Sequence, residues 1–160
     1  MKSKLLVLAV LMAALTAPAS AQSPAGAVTV KPREESYSVK RGSSSVVGIA
    51  IKIKEGYHIN SNRPRDKFLI ATVLKIERES GLVLGPVRYP KPKMQKFSFS
   101  DKPLSVYEGE AILTFSLRAS ATATSGNHTL HGKLTVQACN DEQCLRPQTL
   151  NVDIPVAVVQ

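Results

Sequence analysis

Hydrophobic residues alternate with small or polar residues along most of the chain after residue 27. The clearest case is the segment 46–53, where aliphatic side chains at 47, 49, 51 and 53 are separated by small or polar residues. A period of two residues is typical of a β-strand that buries one face. Five further segments rich in Ile, Val and Leu continue the series, at 68–76, 82–87, 111–117, 128–136 and 150–158. We predict a strand in each, with a short helix as the alternative at 68–76.

Short turns containing glycine separate these segments, at 41–43, 55–56, 80–81, 108–109 and 125–127. Glycine beside Ser, Asn or Arg is common in turns, and no segment has a capped amphipathic period of 3.6 residues over three turns. Strands at short spacing with glycine-containing turns indicate an antiparallel sandwich or barrel. Pro155 interrupts an otherwise regular strand, and because proline has no N–H to donate we expect it at an edge or a bulge. The chain is therefore predicted to be one all-β domain.

The N-terminus has the pattern of an export signal. Lys2 and Lys4 precede an apolar run at 5–15, which is followed by the Ala-x-Ala sequence that ends at Ala21. A basic start, an apolar stretch of about 7–15 residues and such a site characterise a secretory signal peptide, whereas a membrane span needs about 20 apolar residues. A buried helix of the fold is the alternative. We predict a signal peptide at 1–21, a disordered tail at 22–27 and a folded, exported domain at 28–160 without a membrane span.

The chain is basic, with 21 Lys and Arg residues against 12 Asp and Glu and a formal net charge of +9. Such a surplus favours acidic partners or anionic surfaces. The densest basic group is interleaved with prolines and consists of Arg88, Lys91, Lys93 and Lys96. It lacks the stacking aromatic residues of a single-strand binder and the helix of a groove reader. We therefore predict a solvated loop there and no nucleic-acid partner.

The two cysteines, Cys139 and Cys144, are separated by four polar residues. In a hairpin with a four-residue connection they would face each other with Cα atoms about 4.5 Å apart, at the short end of the 4.4–6.8 Å range of disulfides. A ring of six residues adds only about 2.2 kcal/mol of stability in the loop-entropy model, against about 4.7 kcal/mol for a ring of 100. The spacing alone leaves a structural bridge and an exchange-active bridge equally open.

A metal site would need the two thiolates together with one of the three histidines, His58, His128 or His131. No second Cys pair or His pair stands at a ligand spacing near the cysteines, and a tetrahedral zinc site needs four ligands. We predict each histidine to be a turn or surface residue, and we expect neither a metal nor a cofactor.

The cysteine segment resembles that of a known family. The sequence 132–147, GKLTVQACNDEQCLRP, is followed by an apolar strand and resembles the cysteine hairpin of the periplasmic N-terminal domain of DsbD, the thiol:disulfide interchange protein. Three further segments agree in order: EGYHIN at 55–60, VRYP at 87–90 and VYEG at 106–109. The resemblance extends over about 28–158, nearly all of the predicted mature chain.

The resemblance implies an immunoglobulin-like antiparallel β-sandwich in the periplasm. In that family the two cysteines cycle between dithiol and disulfide and relay reducing equivalents to periplasmic acceptors, among them disulfide isomerases and cytochrome c maturation thioredoxins. Carried over to this chain, Cys139 and Cys144 are the redox pair. Cys144 is the residue expected to form the mixed disulfide with a partner, an activity of protein-disulfide reductase type.

The family also covers its disulfide with a loop that bears an aromatic residue. Phe99 is our first choice for that residue and Phe97 the second, while ordinary core residues are the alternative for both. Tyr57 and Asn60 match the segment that approaches the cysteines from a neighbouring strand, and Tyr107 is included with them as a residue that shapes the site.

The charges of the cysteine hairpin predict a nucleophile of modest strength. A thiolate must form before it can attack, and a free cysteine has a pKa of about 8.5. Asp141 and Glu142 disfavour a thiolate, whereas Arg146 favours it. We therefore expect the partner to supply much of the activation.

The chain departs from the family pattern in three ways. We expect it to lack the membrane-embedded domain and the C-terminal thioredoxin-like domain of the full protein. Its intercysteine loop is one residue shorter, and Leu145-Arg146-Pro147 stands where a Pro-Pro is commoner. We therefore expect thioredoxin-like redox proteins and a separately encoded membrane thiol transporter as partners. The alternative is a non-catalytic immunoglobulin-like binding or scaffold module in which the Cys139–Cys144 disulfide is permanent.

Overall fold

The computed structural model of the protein describes residues 26–160. Within that part of the chain the regular structure consists of strands, with no helix: β1 Val28–Pro32, β2 Tyr37–Lys40, β3 Ser44–Ile53, β4 His58–Asn60, β5 Val73–Ile76, β6 Leu82–Leu84, β7 Lys93–Gln95, β8 Leu104–Glu108, β9 Glu110–Ala119, β10 Gly126–Val136, β11 Ala138–Cys139 and β12 Gln148–Val159.

The N-terminal predictions fall mostly on other residues. The signal peptide at 1–21, its cleavage site and the tail up to residue 25 lie outside the described residues. The last two residues of the predicted tail, Gly26 and Ala27, form a turn in front of β1, and Ala27 is buried in the hydrophobic core. No helix among the described residues is long and apolar enough to cross a bilayer.

The strands form three four-stranded sheets. The first has the order β1-β3-β9-β6, the second β2-β12-β10-β5 and the third β11-β4-β8-β7. Neighbouring strands are antiparallel except for β2 and β12, which are parallel. The first two sheets share one hydrophobic core, which makes the domain the predicted antiparallel sandwich.

The core is built from the two-residue period of the long strands. Val47, Ile49 and Ile51 of β3 are fully buried. Side chains of β9, β10 and β12 complete the cluster, among them Leu113, Phe115, Leu117, Leu130, Leu134, Ile154 and Val156. Burying one aliphatic side chain of this size contributes roughly 1.5–3 kcal/mol, so the long sheets hold most of the stability of the domain.

The sequence located the long strands and missed the short ones. The segments predicted at 46–53, 111–117, 128–136 and 150–158 correspond to β3, β9, β10 and β12. The strand predicted at 68–76 is shorter, because 68–72 is a loop and only 73–76 pairs, as β5 with β10. The strand predicted at 82–87 ends at 84. Strands of two to five residues such as β4, β8 and β11 are too short to display a period.

Pro155 lies where its missing N–H costs no ladder bond. The strand β12 pairs with β10 over 148–158, but with β2 only from Val156 onwards. Pro155 therefore precedes the stretch in which β12 has two neighbours, and its position is that of an edge strand.

The third sheet has two unlike faces. Ile59, Tyr107 and Ala138 are register neighbours across its strands and join the main core. The alternate residues point to the other face, where Phe97, Leu104 and Val106 form a second, smaller cluster. This outer face is covered by the segment 96–103, which we call the cover segment.

Candidate functional site

The two cysteines close a tight hairpin at the edge of the third sheet. Cys139 ends β11, and Cys144 faces it across an isolated antiparallel bridge. They form a disulfide with Cα atoms 3.9 Å apart, closer than the 4.5 Å expected for such a pair. The backbone N–H of Leu145 donates to the carbonyl of Ala138 at 2.8 Å, which continues the pairing beyond the disulfide.

The side chain of Asn140 fixes the turn between the cysteines. Its Oδ1 accepts hydrogen bonds from the backbone N–H groups of Glu142 at 3.0 Å and Gln143 at 2.8 Å. This is the local pattern by which asparagine stabilises turns. These two bonds hold the polar four-residue loop as a closed turn between the cysteines.

The two cysteines differ in exposure. Cys139 is fully buried, whereas Cys144 is half-buried. A partner in solution can therefore reach Cys144 before it reaches Cys139.

Three strands place a cysteine, a histidine and a glutamate in one row. Cys139 of β11 is the register partner of His58 of β4, and His58 is the register partner of Glu108 of β8. Directly opposite residues in antiparallel strands point to the same face, with Cβ atoms about 4.5–5.5 Å apart. The row therefore lies on the outer face of the third sheet, beneath the cover segment.

His58 is buried, so the prediction that it is a turn or surface residue is wrong. It is 2% exposed, and its Nε2 has no hydrogen-bond partner among the described residues. The strand β4 is only three residues long and follows the turn at Gly56, so its sequence gave no periodic signal. Burial lowers the pKa of His58 below its usual 6.5, an effect partly opposed by the carboxylates of Glu108 and Asp141.

The imidazole of His58 begins a stack of three rings. Its centroid lies 3.9 Å from that of Phe97, and the planes are 19° apart. Phe99 follows at 5.5 Å from Phe97. Phe97 is 5% exposed and Phe99 is 38% exposed, so Phe97 is the inner aromatic residue of the cover segment and Phe99 the outer one.

A hydrogen bond joins the cover segment to the cysteine hairpin. The hydroxyl of Ser98, between the two phenylalanines, donates to the backbone carbonyl of Asp141 at 2.6 Å. Asp141 is in the intercysteine loop, so this hydrogen bond is a direct link between the cover segment and that loop.

Asn60, at the opposite end of β4 from His58, also links this strand to the cysteine hairpin. It is fully buried, and its Nδ2 donates to the carbonyl of Ile70 at 3.1 Å and to Oε1 of Gln137 at 3.4 Å. Gln137 in turn donates from Nε2 to the carbonyl of Leu145, at 3.2 Å. Asn60 therefore belongs to a polar chain that ends just beyond Cys144.

The two tyrosines of the predicted site are not members of the row Cys139–His58–Glu108. Tyr57 is half-buried and packs against the main core. Tyr107 points to the inner face of the third sheet, where its hydroxyl donates to Oδ1 of Asn62 at 2.9 Å. Burial raises the pKa of the Tyr107 phenol above its usual 10.0.

A cleft of about 440 Å³ opens beside His58. Its lining includes Tyr57, Phe97, Glu108 and Asp141 together with His58, so it adjoins both the aromatic stack and the intercysteine loop. Among the described residues, no group of three or more His, Cys, Asp or Glu side chains is placed to hold a metal ion.

Comparison with known proteins finds one matching family model, described as thiol:disulfide interchange protein DsbD, N-terminal, over residues 27–155. Together with the two packed sheets, this match confirms the predicted resemblance and the predicted immunoglobulin-like antiparallel β-sandwich. The search of curated proteins found no match.

Among solved structures, the chain is similar to the N-terminal periplasmic domain of ScsB from Proteus mirabilis. The identity is 12%, the TM-score is 0.50, and the match covers 79% of this chain and 44% of that chain. This chain therefore spans less than half of the ScsB domain, and at that identity the likeness concerns the fold.

Two further structures match with lower TM-scores. A family 123 glycoside hydrolase from Clostridium perfringens has 12% identity and a TM-score of 0.34, with 78% of this chain and 22% of that chain covered. The periplasmic chaperone SfaE has 10% identity and a TM-score of 0.38, with 83% and 57% covered.

Proposed function

We infer that this chain, which belongs to the family of the N-terminal domain of the thiol:disulfide interchange protein DsbD, is a periplasmic thiol–disulfide exchange domain. Its Cys139–Cys144 pair would cycle between dithiol and disulfide and pass reducing equivalents to exported thiol-redox proteins. Export would depend on the signal peptide predicted at 1–21.

The observation that carries this proposal is the position of the disulfide. It closes a ring of six residues on an edge hairpin, with Cys144 half-buried and Cys139 fully buried next to His58, on which Phe97 stacks. A bridge that served stability would gain more by joining distant strands. A short bridge that a partner can reach from one side suits exchange.

The difference in exposure between the two cysteines supports an order of reaction in which Cys144 attacks first. In the dithiol form, the thiolate of Cys144 attacks the disulfide of an oxidised partner, forms a mixed disulfide and releases one partner thiolate. Cys139 then attacks the sulfur of Cys144, which re-forms the internal disulfide and releases the second partner thiolate. Two electrons have passed to the partner, and two protons have left the cysteines.

The cover segment would protect the pair between encounters. Phe97, stacked on His58, would be the inner layer and Phe99 the outer layer. A docking partner would displace the segment and separate Ser98 from Asp141. Asn60 would hold the hairpin in place through Gln137, while Tyr57 and Tyr107 would support the third sheet from the side of the main core.

The partners are proposed by class. The acceptors would be thioredoxin-like proteins of the disulfide isomerase or cytochrome c maturation type. A separately encoded membrane thiol transporter would supply the reducing equivalents.

Measuring the reduction potential of the pair tests this function. The protein is equilibrated in glutathione or dithiothreitol redox buffers, and the dithiol fraction is read by alkylation and mass. We expect reversible interconversion and, in Cys139→Ala, a mixed disulfide trapped on Cys144. A potential below about −300 mV would favour a permanent structural bridge and would overturn the proposal.

A further inference from the structure

We propose that His58 accepts the proton of the Cys139 thiol as that thiol attacks the mixed disulfide on Cys144, and that Glu108 is the positioning residue for the imidazole. This inference rests on the proposed function and names the proton acceptor for its second step. The row Cys139–His58–Glu108 across β11, β4 and β8 carries it.

The burial of Cys139 creates the need for an internal acceptor. Its side chain is fully buried and His58 is 2% exposed, so water has little access to either. A thiolate formed there without a nearby acceptor would bear the full cost of a buried charge. The register places one imidazole on the same face at the neighbouring position.

His58 has the chemistry of an acceptor in its resting state. Burial holds its pKa below 6.5, so at neutral pH the ring is uncharged and has a free lone pair. Its Nε2 has no hydrogen-bond partner among the described residues. Phe97 stacks on the ring at 3.9 Å and restricts its tilt.

The charges around His58 favour the product of the transfer. Glu108 from β8 and Asp141 from the intercysteine loop both act on the ring to favour the imidazolium. Lys54 and Glu55, from the turn before β4, line the same cleft and carry opposite charges. Glu108 is itself paired with Lys93 at 3.4 Å, which ties the carboxylate to β7.

The step balances in protons and electrons. Cys139 gives its proton to His58, its sulfur bonds to the sulfur of Cys144, and the bond from Cys144 to the partner breaks with release of the partner thiolate. The partner thiolate then takes the proton from His58, which returns to the neutral form. His58 gains and loses one proton, and the two electrons go from the cysteines to the partner.

The other two histidines of the chain, His128 and His131, offer a control position for the test. The two histidines both lie on β10. His128 contacts Glu79 at 3.5 Å, and His131 contacts Asp153 at 2.8 Å. His131 is exposed and its side chain is on a different sheet from the cysteines. A change at His131 therefore removes a histidine–carboxylate pair without touching the disulfide.

Stopped-flow reaction of the reduced protein with the aromatic disulfide dithiobis(nitrobenzoate) separates the two steps. The first release of coloured thiolate reports attack by Cys144 and scales with reagent concentration. The second is intramolecular, reports attack by Cys139 and does not depend on reagent concentration. The coloured thiolate is a weak base, so the pH profile of the second phase reports how Cys139 loses its proton.

We expect His58→Phe to slow the second phase at pH 7 by at least about tenfold. A general base usually contributes about 10²–10⁴-fold to a rate. The rate in His58→Phe should then rise with pH up to about 8.5, the ordinary cysteine pKa. The wild-type rate should already be level at neutral pH, because the pKa of His58 lies below 6.5. The first phase and the His131→Phe control should be unchanged. An unchanged second-phase pH profile in His58→Phe would overturn the inference.

A second variant keeps the test decisive if His58→Phe folds poorly. Glu108→Gln retains the shape of the side chain and should slow the second phase by a smaller factor. Because Glu108 raises the pKa of His58, its loss should shift the inflection of the pH profile to lower pH. No shift in Glu108→Gln would remove Glu108 from the proposal. Failure of the proposed function is distinguished separately, because the reduction potential of the wild-type pair decides that question without the histidine variants.

Discussion

The main core and the outer face of the third sheet differ in strand length and in the polarity of their buried side chains. The two long sheets pair over as many as eleven residues, between β10 and β12, and their core cluster consists of hydrophobic side chains. In the third sheet, β11 and β4 pair over two residues. The buried polar residues of the described chain all lie in or beside that sheet: His58, Asn60, Ser61, Thr72 and Ser105.

This difference separates stability from chemistry. A buried polar atom without a partner costs about 1–3 kcal/mol. Four such atoms occur among the described residues: Nε2 of His58 and Oδ1 of Asn60 lie in the third sheet, and Oγ of Ser125 and Nε2 of Gln148 lie at the ends of β10 and β12. The long sheets can offset that cost because their stability does not depend on the site. Departures from ideal packing are expected at functional sites, and the two in the third sheet lie beside the disulfide on which the proposed exchange reaction depends.

The largest effect we expect is in the main core. Phe115 on β9 is 1% exposed, and Phe115→Ala should lower the free energy of unfolding by about 3–5 kcal/mol, because a core Phe-to-Ala change loses burial and leaves a cavity. Urea denaturation measures this loss. Val46, on β3 of the same sheet, is 67% exposed, and Val46→Ala should change stability by less than about 0.5 kcal/mol. Similar losses in the two variants would mean that the long sheets do not hold the stability.

The second effect we expect is a pH dependence of stability that comes from the third sheet and not from the main core. Burial lowers the pKa of His58 in the folded state, so the unfolded chain binds more protons as pH falls through 6.5. The contribution of His58 to the free energy of unfolding is therefore fully present above pH 6.5 and decreases as the pH falls below that value. The decrease ends once the pH is below the lowered pKa of the folded state. Its slope is at most about 1.4 kcal/mol per pH unit. The main-core cluster includes no histidine or carboxylate, so it contributes no such slope.

Denaturation curves at several pH values between 5 and 7.5 test this difference. His58→Phe should flatten the loss of stability on acidification, and the matched control His131→Phe should retain it. Equal slopes in the wild type and His58→Phe would show that another group sets the pH dependence.

The difference in strand length between the main core and the third sheet also determines which elements can be predicted from the sequence. The strands β3, β9, β10 and β12 are ten residues or longer and repeat an apolar residue at alternate positions, so their period is visible without a structure. The cysteine pair is visible because its two residues are five positions apart. The family resemblance also indicates Phe97 and Phe99, but the order of the two rings in the stack depends on how the segment 96–103 folds onto the third sheet.

The row Cys139–His58–Glu108 could not be predicted in this way. Its members are distant in the chain, and only the register of three short strands brings them together. His58 stands in a three-residue strand after a glycine turn, where local sequence favours the surface. No local pattern records which residue of β4 faces β11, because that register depends on tertiary packing.

The smallest effect we expect is at the hydrogen bond between the cover segment and the hairpin. Ser98→Ala removes the donor to the Asp141 carbonyl, and a net loss of about 0.5–1 kcal/mol would raise the open fraction of the cover segment roughly two- to fivefold. The rate at which dithiothreitol reduces the disulfide should rise by the same factor, because the open form exposes the sulfurs. Ser100→Ala is the matched control, since the Ser100 hydroxyl bonds to the carbonyl of Lys102 within the same segment. If dithiothreitol reduces the disulfide of both variants at the wild-type rate, the cover segment does not control access to it. The row Cys139–His58–Glu108 must then be reached by another route.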